Sequence, residues 1–184
     1  MICTSDKYVC ISRPRRFGKS MAANMLTAYY SRGCDSREMF ENFKISKADS
    51  FEKHLNKYNV IHIDVSSFWD AYKDNVIEKI QEYIYDELKQ VYGDQIDYTK
   101  MISAVLMSVY NISGIPFVII IDEWDCVIRN GGNKTLVHSY LQFLHLLFKS
   151  EESKTFLALA YITGILPIKK IKDESALNNF REFT

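Results

Sequence analysis

The sequence has no surplus of charge of either sign: its 184 residues hold 23 Lys and Arg against 23 Asp and Glu. Such balance excludes a general nucleic-acid coat or a binder of anionic membranes, and leaves room only for a local basic patch. Proline (3) and glycine (7) are few, which excludes disordered and collagen-like chains. Cysteine is sparse as well. Cys3, Cys10, Cys34 and Cys126 show no C-x-x-C pair and no histidine at zinc-ligand spacing, so reduced, mostly buried thiols and a cytoplasmic location are expected. Long hydrophobic runs are missing too. The longest, over 156–168, is interrupted by Thr163, Gly164 and Pro167 and is too short to cross a bilayer. The N-terminus lacks the basic-then-apolar pattern of a secretory leader, so no membrane partner is expected.

What is abundant is core-building material: 47% hydrophobic residues, with 12 Tyr, 11 Phe and 2 Trp. A chain of this length makes about one domain, taken as 1–184. Apolar, β-prone runs lie at 8–12, 59–65, 117–121 and 156–163. Between them fall helical patterns at 19–30, 70–92, 98–111 and 135–149. In 70–92, Val76, Ile77, Ile80, Ile84, Leu88 and Val91 recur at helical spacing. Met39, Phe40, Phe43 and Ile45 read as one face of a short amphipathic piece, and residues 130–133 as a turn. Strands that are apolar throughout and alternate with helices predict an α/β fold with a mostly parallel sheet buried on both faces. A fifth core strand is not legible.

Chemistry concentrates at three strand ends. The first run is followed by Ser12-Arg13-Pro14-Arg15-Arg16-Phe17-Gly18-Lys19-Ser20 and then a helix, where a phosphate-binding loop belongs. Amides at a helix N-terminus have no intrahelical acceptor and carry partial positive charge, so they can cradle phosphates. Gly18 permits close backbone approach, Lys19 can place a point charge on β- and γ-phosphates, and Ser20 can give its hydroxyl to Mg²⁺. Gly-Lys-Ser/Thr arises by chance about once per ten chains of this length, and Arg13 stands where the general loop pattern has its first glycine. The position between strand and helix is what lifts this match above chance. The candidate nucleotide contacts are Arg15, Arg16, Phe17, Gly18, Lys19, Ser20 and Met21.

The third run ends in Asp122-Glu123. An aspartate there can hold Mg²⁺, and the next glutamate can orient and deprotonate a water. The fourth run closes on Thr163-Gly164, where a polar tip can touch the γ-phosphate or the water if that strand lies between the other two. Expected metal ligands are thus Ser20 and Asp122, and expected catalytic residues Glu123, Lys19 and Thr163. Other residues have blander readings. Arg13, Arg15 and Arg16 contact phosphates or pair with Asp122 or Asp125. Asp125 reads as an ion-pair member, Trp124 as core, and His138 and His145 as an ordinary helix face. His62 with Asp64 is a structural contact or a coincidence, and Lys169, Lys170 and Lys172 a solvated loop. Arg129 and Arg181 are either surface residues or arginine fingers toward a neighbouring subunit.

Taken together, these segments resemble the AAA-ATPase-like family, in which many members carry a PD-(D/E)XK nuclease-like domain after the ATPase part. The loop resembles that family's RPRRFGKS/T, residues 40–45 its LFEGLKI, 60–66 its PVIYIDFS, 119–125 its LIDEYD and 162–180 its ITGILPIKK…SALNNF segment. The resemblance implies a P-loop NTPase-like three-layer α/β/α sandwich of AAA type. It also implies ATP and Mg²⁺ as ligands, with nucleotide contacts at Gly18, Lys19 and Ser20, Mg²⁺ at Asp122, catalysis at Glu123 and a sensor role at Thr163. The chain lacks the family's segment before the first strand and the nuclease-like part, so a domain truncated at both ends is expected. ATP hydrolysis is the leading function, with ATP and a second copy of the chain in a homo-oligomer as the expected partners. The rivals are a nucleotide-dependent interaction module without hydrolysis, a nucleic-acid-associated module of a nuclease-linked system, and a P-loop kinase.

Overall fold

The computed structural model describes residues 6–131, 133–170 and 177–184; Cys3 and Lys172 fall outside them. Five strands form one sheet: β1 (Tyr8–Ser12), β2 (Asn59–Asp64), β3 (Phe117–Asp122), β4 (Leu157–Gly164) and β5 (Arg181–Phe183). Their order is β2-β3-β4-β1-β5 and every pairing is parallel. The intervening helices are α1 (Lys19–Tyr30), α2 (Arg37–Phe40), α3 (Phe51–His54), α4 (Val65–Tyr72), α5 (Val76–Tyr92), α6 (Ile102–Ser113), α7 (Cys126–Arg129), α8 (Lys134–Phe148) and α9 (Glu151–Phe156). No helix among the described residues is long and apolar enough to cross a membrane.

The all-apolar strands are explained by burial on both sides. All six residues of β3 are buried. Phe117, Ile119 and Ile121 face a large cluster with Trp69, Ile80, Ile84, Val105, Leu106 and Leu144, contributed by α4, α5, α6 and α8. Val118 and Ile120 face a smaller cluster with Ala23, Tyr29 and Tyr30 of α1, plus Phe40, Phe51 and Leu55. The result is three layers, helices on both faces of a parallel sheet. Each buried Val or Ile of β3 contributes about 1.5–3 kcal/mol by leaving water. In β4, Leu157 pairs with Phe117 but Leu159 with Val118, so Ala158 is an extra, bulged residue.

Three expectations need correcting. The helical stretch over 70–92 is broken: α4 ends at Tyr72, Lys73 takes φ 47°, and α5 starts only at Val76. A polar Lys73-Asp74-Asn75 turn separates two helices whose apolar faces are both in phase with the core. Met39 leaves the face expected of Met39, Phe40, Phe43 and Ile45: the other three line one apolar groove with Met25, Leu26 and Tyr29, and of the four only Phe40 is buried. A fifth strand exists: β5 runs parallel to β1, with Val9, Cys10 and Ile11 opposite Arg181, Glu182 and Phe183. It is a short edge strand of alternating polarity, which leaves no apolar run to read.

Candidate functional site

In a parallel sheet, ligands bind beyond the carboxyl ends of the strands. Here β1, β3 and β4 end side by side, with β4 between the other two as expected. The chain leaving β1 is fastened to the end of β4 by the Arg13 amide, which donates to the Gly164 carbonyl at 3.1 Å. The loop then turns through positive φ at Arg16 (69°) and at Gly18 (75°). Gly18 is the N-cap of α1 in left-handed conformation. A Cβ there would meet nothing within 4 Å, so the backbone angle, not crowding, is what favours glycine.

Lys19 is 7% exposed. Its ammonium donates to the Pro14 carbonyl at 3.2 Å, closing the loop over the side chain, and lies 3.6 Å from Glu123 Oε1. Ser20 is exposed on the first turn of α1. Phe17 and Met21 stand out at 63% and 69% exposure on the loop rim, high for large apolar side chains.

At the tip of β3, Asp122 is buried. Its Oδ1 accepts the Glu123 amide at 3.0 Å and the hydroxyl of Thr163. Thr163 is fully buried and serves Asp122 from below, rather than opening onto the surface. Glu123 adopts φ 51°, a left-handed turn that swings its side chain away from the strand. Its Oε1 faces Lys19 and its Oε2 accepts from Nη2 of Arg129.

Arg129 is one turn on, in α7. Its Nε donates to Asp125 Oδ2 at 2.7 Å. The same oxygen accepts the amides of Ile165 at 3.1 Å and Leu166 at 2.8 Å. Asp125 is therefore a fully buried strut between the end of β3 and the loop after β4. Trp124 beneath it is core: its amide donates to the Thr163 carbonyl at 2.9 Å, and its own carbonyl accepts the Tyr140 hydroxyl at 2.8 Å.

A groove of about 560 Å³ runs along this surface. Arg15, Arg16, Gly18, Lys19, Ser20 and Met21 line one side, and Glu123 and Arg129 the other. The structure thus brings most of the expected residues to one place. Ser66, Asp70, Cys126 and Asn130 also line it and were not legible from sequence, because they reach it through folding of α4 and α7. Arg129, expected at the surface or as a finger toward a neighbour, lies at its own chain's acids. It, and not Arg13, Arg15 or Arg16, is the ion-pair partner of Asp125. The spacing Asp125-x-x-x-Arg129, an i,i+4 acid–base pair, was the available signal.

The other candidates fall away from the groove. Arg181 pairs with Asp6 at 2.8 Å. Asp64 caps α4, accepting the Ser66 amide at 3.0 Å and the Ser67 hydroxyl at 2.6 Å. His62 Nδ1 lies 3.1 Å from Thr27 Oγ1, and burial lowers its pKa, so it is a neutral structural group at neutral pH.

The donor set suits a magnesium-bound phosphate. One carboxylate and one hydroxyl, Asp122 and Ser20, are hard oxygen donors. Mg²⁺ typically takes one or two carboxylates and completes its shell with water and substrate phosphates. No group of three or more His, Cys, Asp or Glu side chains among the described residues could hold a metal by itself.

Comparison with known proteins agrees with this reading of the fold. The model of the AAA-ATPase-like family, described as a predicted AAA-ATPase, matches residues 1–172. No curated protein matches the chain.

Proposed function

The chain belongs to the AAA-ATPase-like family, and we propose that it binds Mg-ATP at the tips of β1 and β3 and hydrolyses the γ-phosphate. One observation carries this reading. The Lys19 ammonium, at the head of α1, lies 3.6 Å from the carboxylate of Glu123, which follows Asp122, so the loop cation and the glutamate at the end of β3 share one groove. First-turn amides of α1 and the Lys19 ammonium bind the phosphate tail. Ser20 and Asp122 hold Mg²⁺, which supplies charge neutralisation at the phosphates. Thr163 keeps Asp122 in place by its hydrogen bond.

Glu123 orients a water. The water oxygen attacks the γ-phosphorus and its proton passes to the Glu123 carboxylate. The bond from that phosphorus to the bridging oxygen breaks, and its electron pair leaves with ADP. Glu123→Gln should keep Mg-ATP binding and slow phosphate release by about 10²–10⁴-fold, whereas Lys19→Ala should weaken binding itself. Equal turnover by both variants and the parent would overturn the proposal. A second reading, binding without hydrolysis, is favoured by the pairing of Glu123 with both Lys19 and Arg129; phosphate release over many turnovers excludes it.

A further inference from the structure

Glu123 stands between two cations. Its Oε1 faces the Lys19 ammonium at 3.6 Å and its Oε2 takes a hydrogen bond from Arg129 Nη2. With Oε2 occupied by Arg129 and Oε1 turned to Lys19, the carboxylate has no oxygen turned to an incoming water. The arginine is not loose: its side chain is only 16% exposed, and Asp125 pins its Nε at 2.7 Å. The pinned end leaves the Nη end of the planar guanidinium fork facing the groove. Lys19 and Arg129 thus meet across one internal anion, in a groove whose loop side is built for phosphate.

Resting on the ATP reading of this site, we propose that Arg129 is a catalytic arginine supplied by the chain to its own site. It binds the terminal phosphate in exchange for Glu123. The exchange is between anions. A terminal phosphate carries more charge than one carboxylate and offers oxygens that match the guanidinium fork. When Nη2 moves to the phosphate, Glu123 Oε2 is released to accept from the attacking water, and Asp125 holds the arginine throughout. The internal carboxylate keeps both cations paired before nucleotide arrives, and its release depends on the third phosphate. Arg129 then neutralises charge in the transition state, a role in which an arginine accelerates phosphoryl transfer by about 10³–10⁵-fold. No arginine from a neighbouring subunit is required.

The test is calorimetric titration with Mg-ADP and with a non-hydrolysable Mg-ATP analogue, on the parent chain, Arg129→Ala, Arg129→Lys, Glu123→Gln and the Glu123→Gln/Arg129→Ala double variant. Arg129→Ala is expected to leave ADP binding near the parent value and to weaken the triphosphate by about 10–100-fold. Glu123→Gln is expected to strengthen the triphosphate relative to the diphosphate, and that gain should vanish in the double variant. Arg129→Lys keeps a cation beside Asp125 and guards against misfolding; it should still lose most of the triphosphate preference, because an ammonium has no fork.

Phosphate release by Arg129→Ala should fall about 10³-fold and stay low when the variant is mixed with Lys19→Ala chains. A triphosphate-to-diphosphate preference unmoved by Arg129→Ala and Arg129→Lys would overturn the assignment while leaving the ATP reading intact. So would restored turnover on mixing, which would place the arginine in trans. Absence of any nucleotide binding by the parent would remove both.

Discussion

Replacing Asp125 by alanine removes a carboxylate whose Oδ2 accepts from Arg129 Nε, Leu166 N and Ile165 N. Breaking a buried ion pair from one side costs about 3–5 kcal/mol, because the surviving charge is left without its partner. Two considerations pull the figure to the low end: Arg129 keeps Glu123 as a second partner, and Asp125 Oδ1 has no hydrogen-bond partner among the described residues, a burden that alanine removes. The stranded amides of Ile165 and Leu166 add to the loss unless water reaches them. The net expectation is about 3 kcal/mol, or about 6–12 °C in Tm for a chain of this size. Asp125→Asn keeps an acceptor of the same shape and loses only the charge assistance, so it should cost about 1–2 kcal/mol. Urea unfolding of the parent and both variants measures this directly. A loss below about 1 kcal/mol for Asp125→Ala, or equal losses for Ala and Asn, would refute the strut.

Gly164→Ala should lower Tm by several degrees, since a Cβ there would come within 2.7 Å of both Asp125 Oδ1 and Trp124 Nε1, and neither buried side chain has room to yield; an unchanged melt would contradict the packing. Stability should fall above about pH 9. Burial pushes the Cys10 thiol up to about 12, so the unfolded thiol ionises from about pH 9 while the folded one does not. The unfolded state then binds fewer protons, and stability drops by up to about 1.4 kcal/mol per pH unit. Cys10→Ala should flatten that slope in urea melts at pH 8 and pH 10.5, and an identical slope would count against it. In the native protein at pH 8, thiol alkylation followed by peptide mapping should label exposed Cys34 and spare buried Cys10 and Cys126; rapid labelling of Cys10 would mean that the layer under the loop opens.

Legibility in the sequence followed continuity along the chain. The β1–loop–α1 unit could be read because strand, Gly18-Lys19-Ser20 and helix are contiguous, and the same holds for β3 with Asp122 and Glu123. The placement of β4 between β1 and β3 follows the strand order of P-loop ATPases with an added central strand, and its Thr163-Gly164 tip is the local sign of it. The features not legible in the sequence depend on contacts between distant segments or on brief local turns. β5 carries three residues, Arg181–Phe183, and is defined by its backbone pairing with β1 rather than by hydrophobicity. The break at Lys73 is a single positive φ inside an otherwise in-phase apolar pattern. Arg129 reaches Glu123 only because Glu123 itself turns left-handed and α7 begins three residues later, a geometry that i,i+4 spacing to Asp125 hints at but does not specify. The groove's far wall, Ser66 and Asp70, comes from α4 and was invisible for the same reason.

The central claim is that the groove between Lys19 and Glu123 receives a magnesium-bound triphosphate. Isothermal titration of the parent chain and Lys19→Ala with Mg-ATP tests it most directly. One-to-one binding by the parent, weakened at least about tenfold in Lys19→Ala through loss of a charge-assisted contact, is the predicted result. No binding by the parent, or binding that Lys19→Ala leaves untouched, would contradict it.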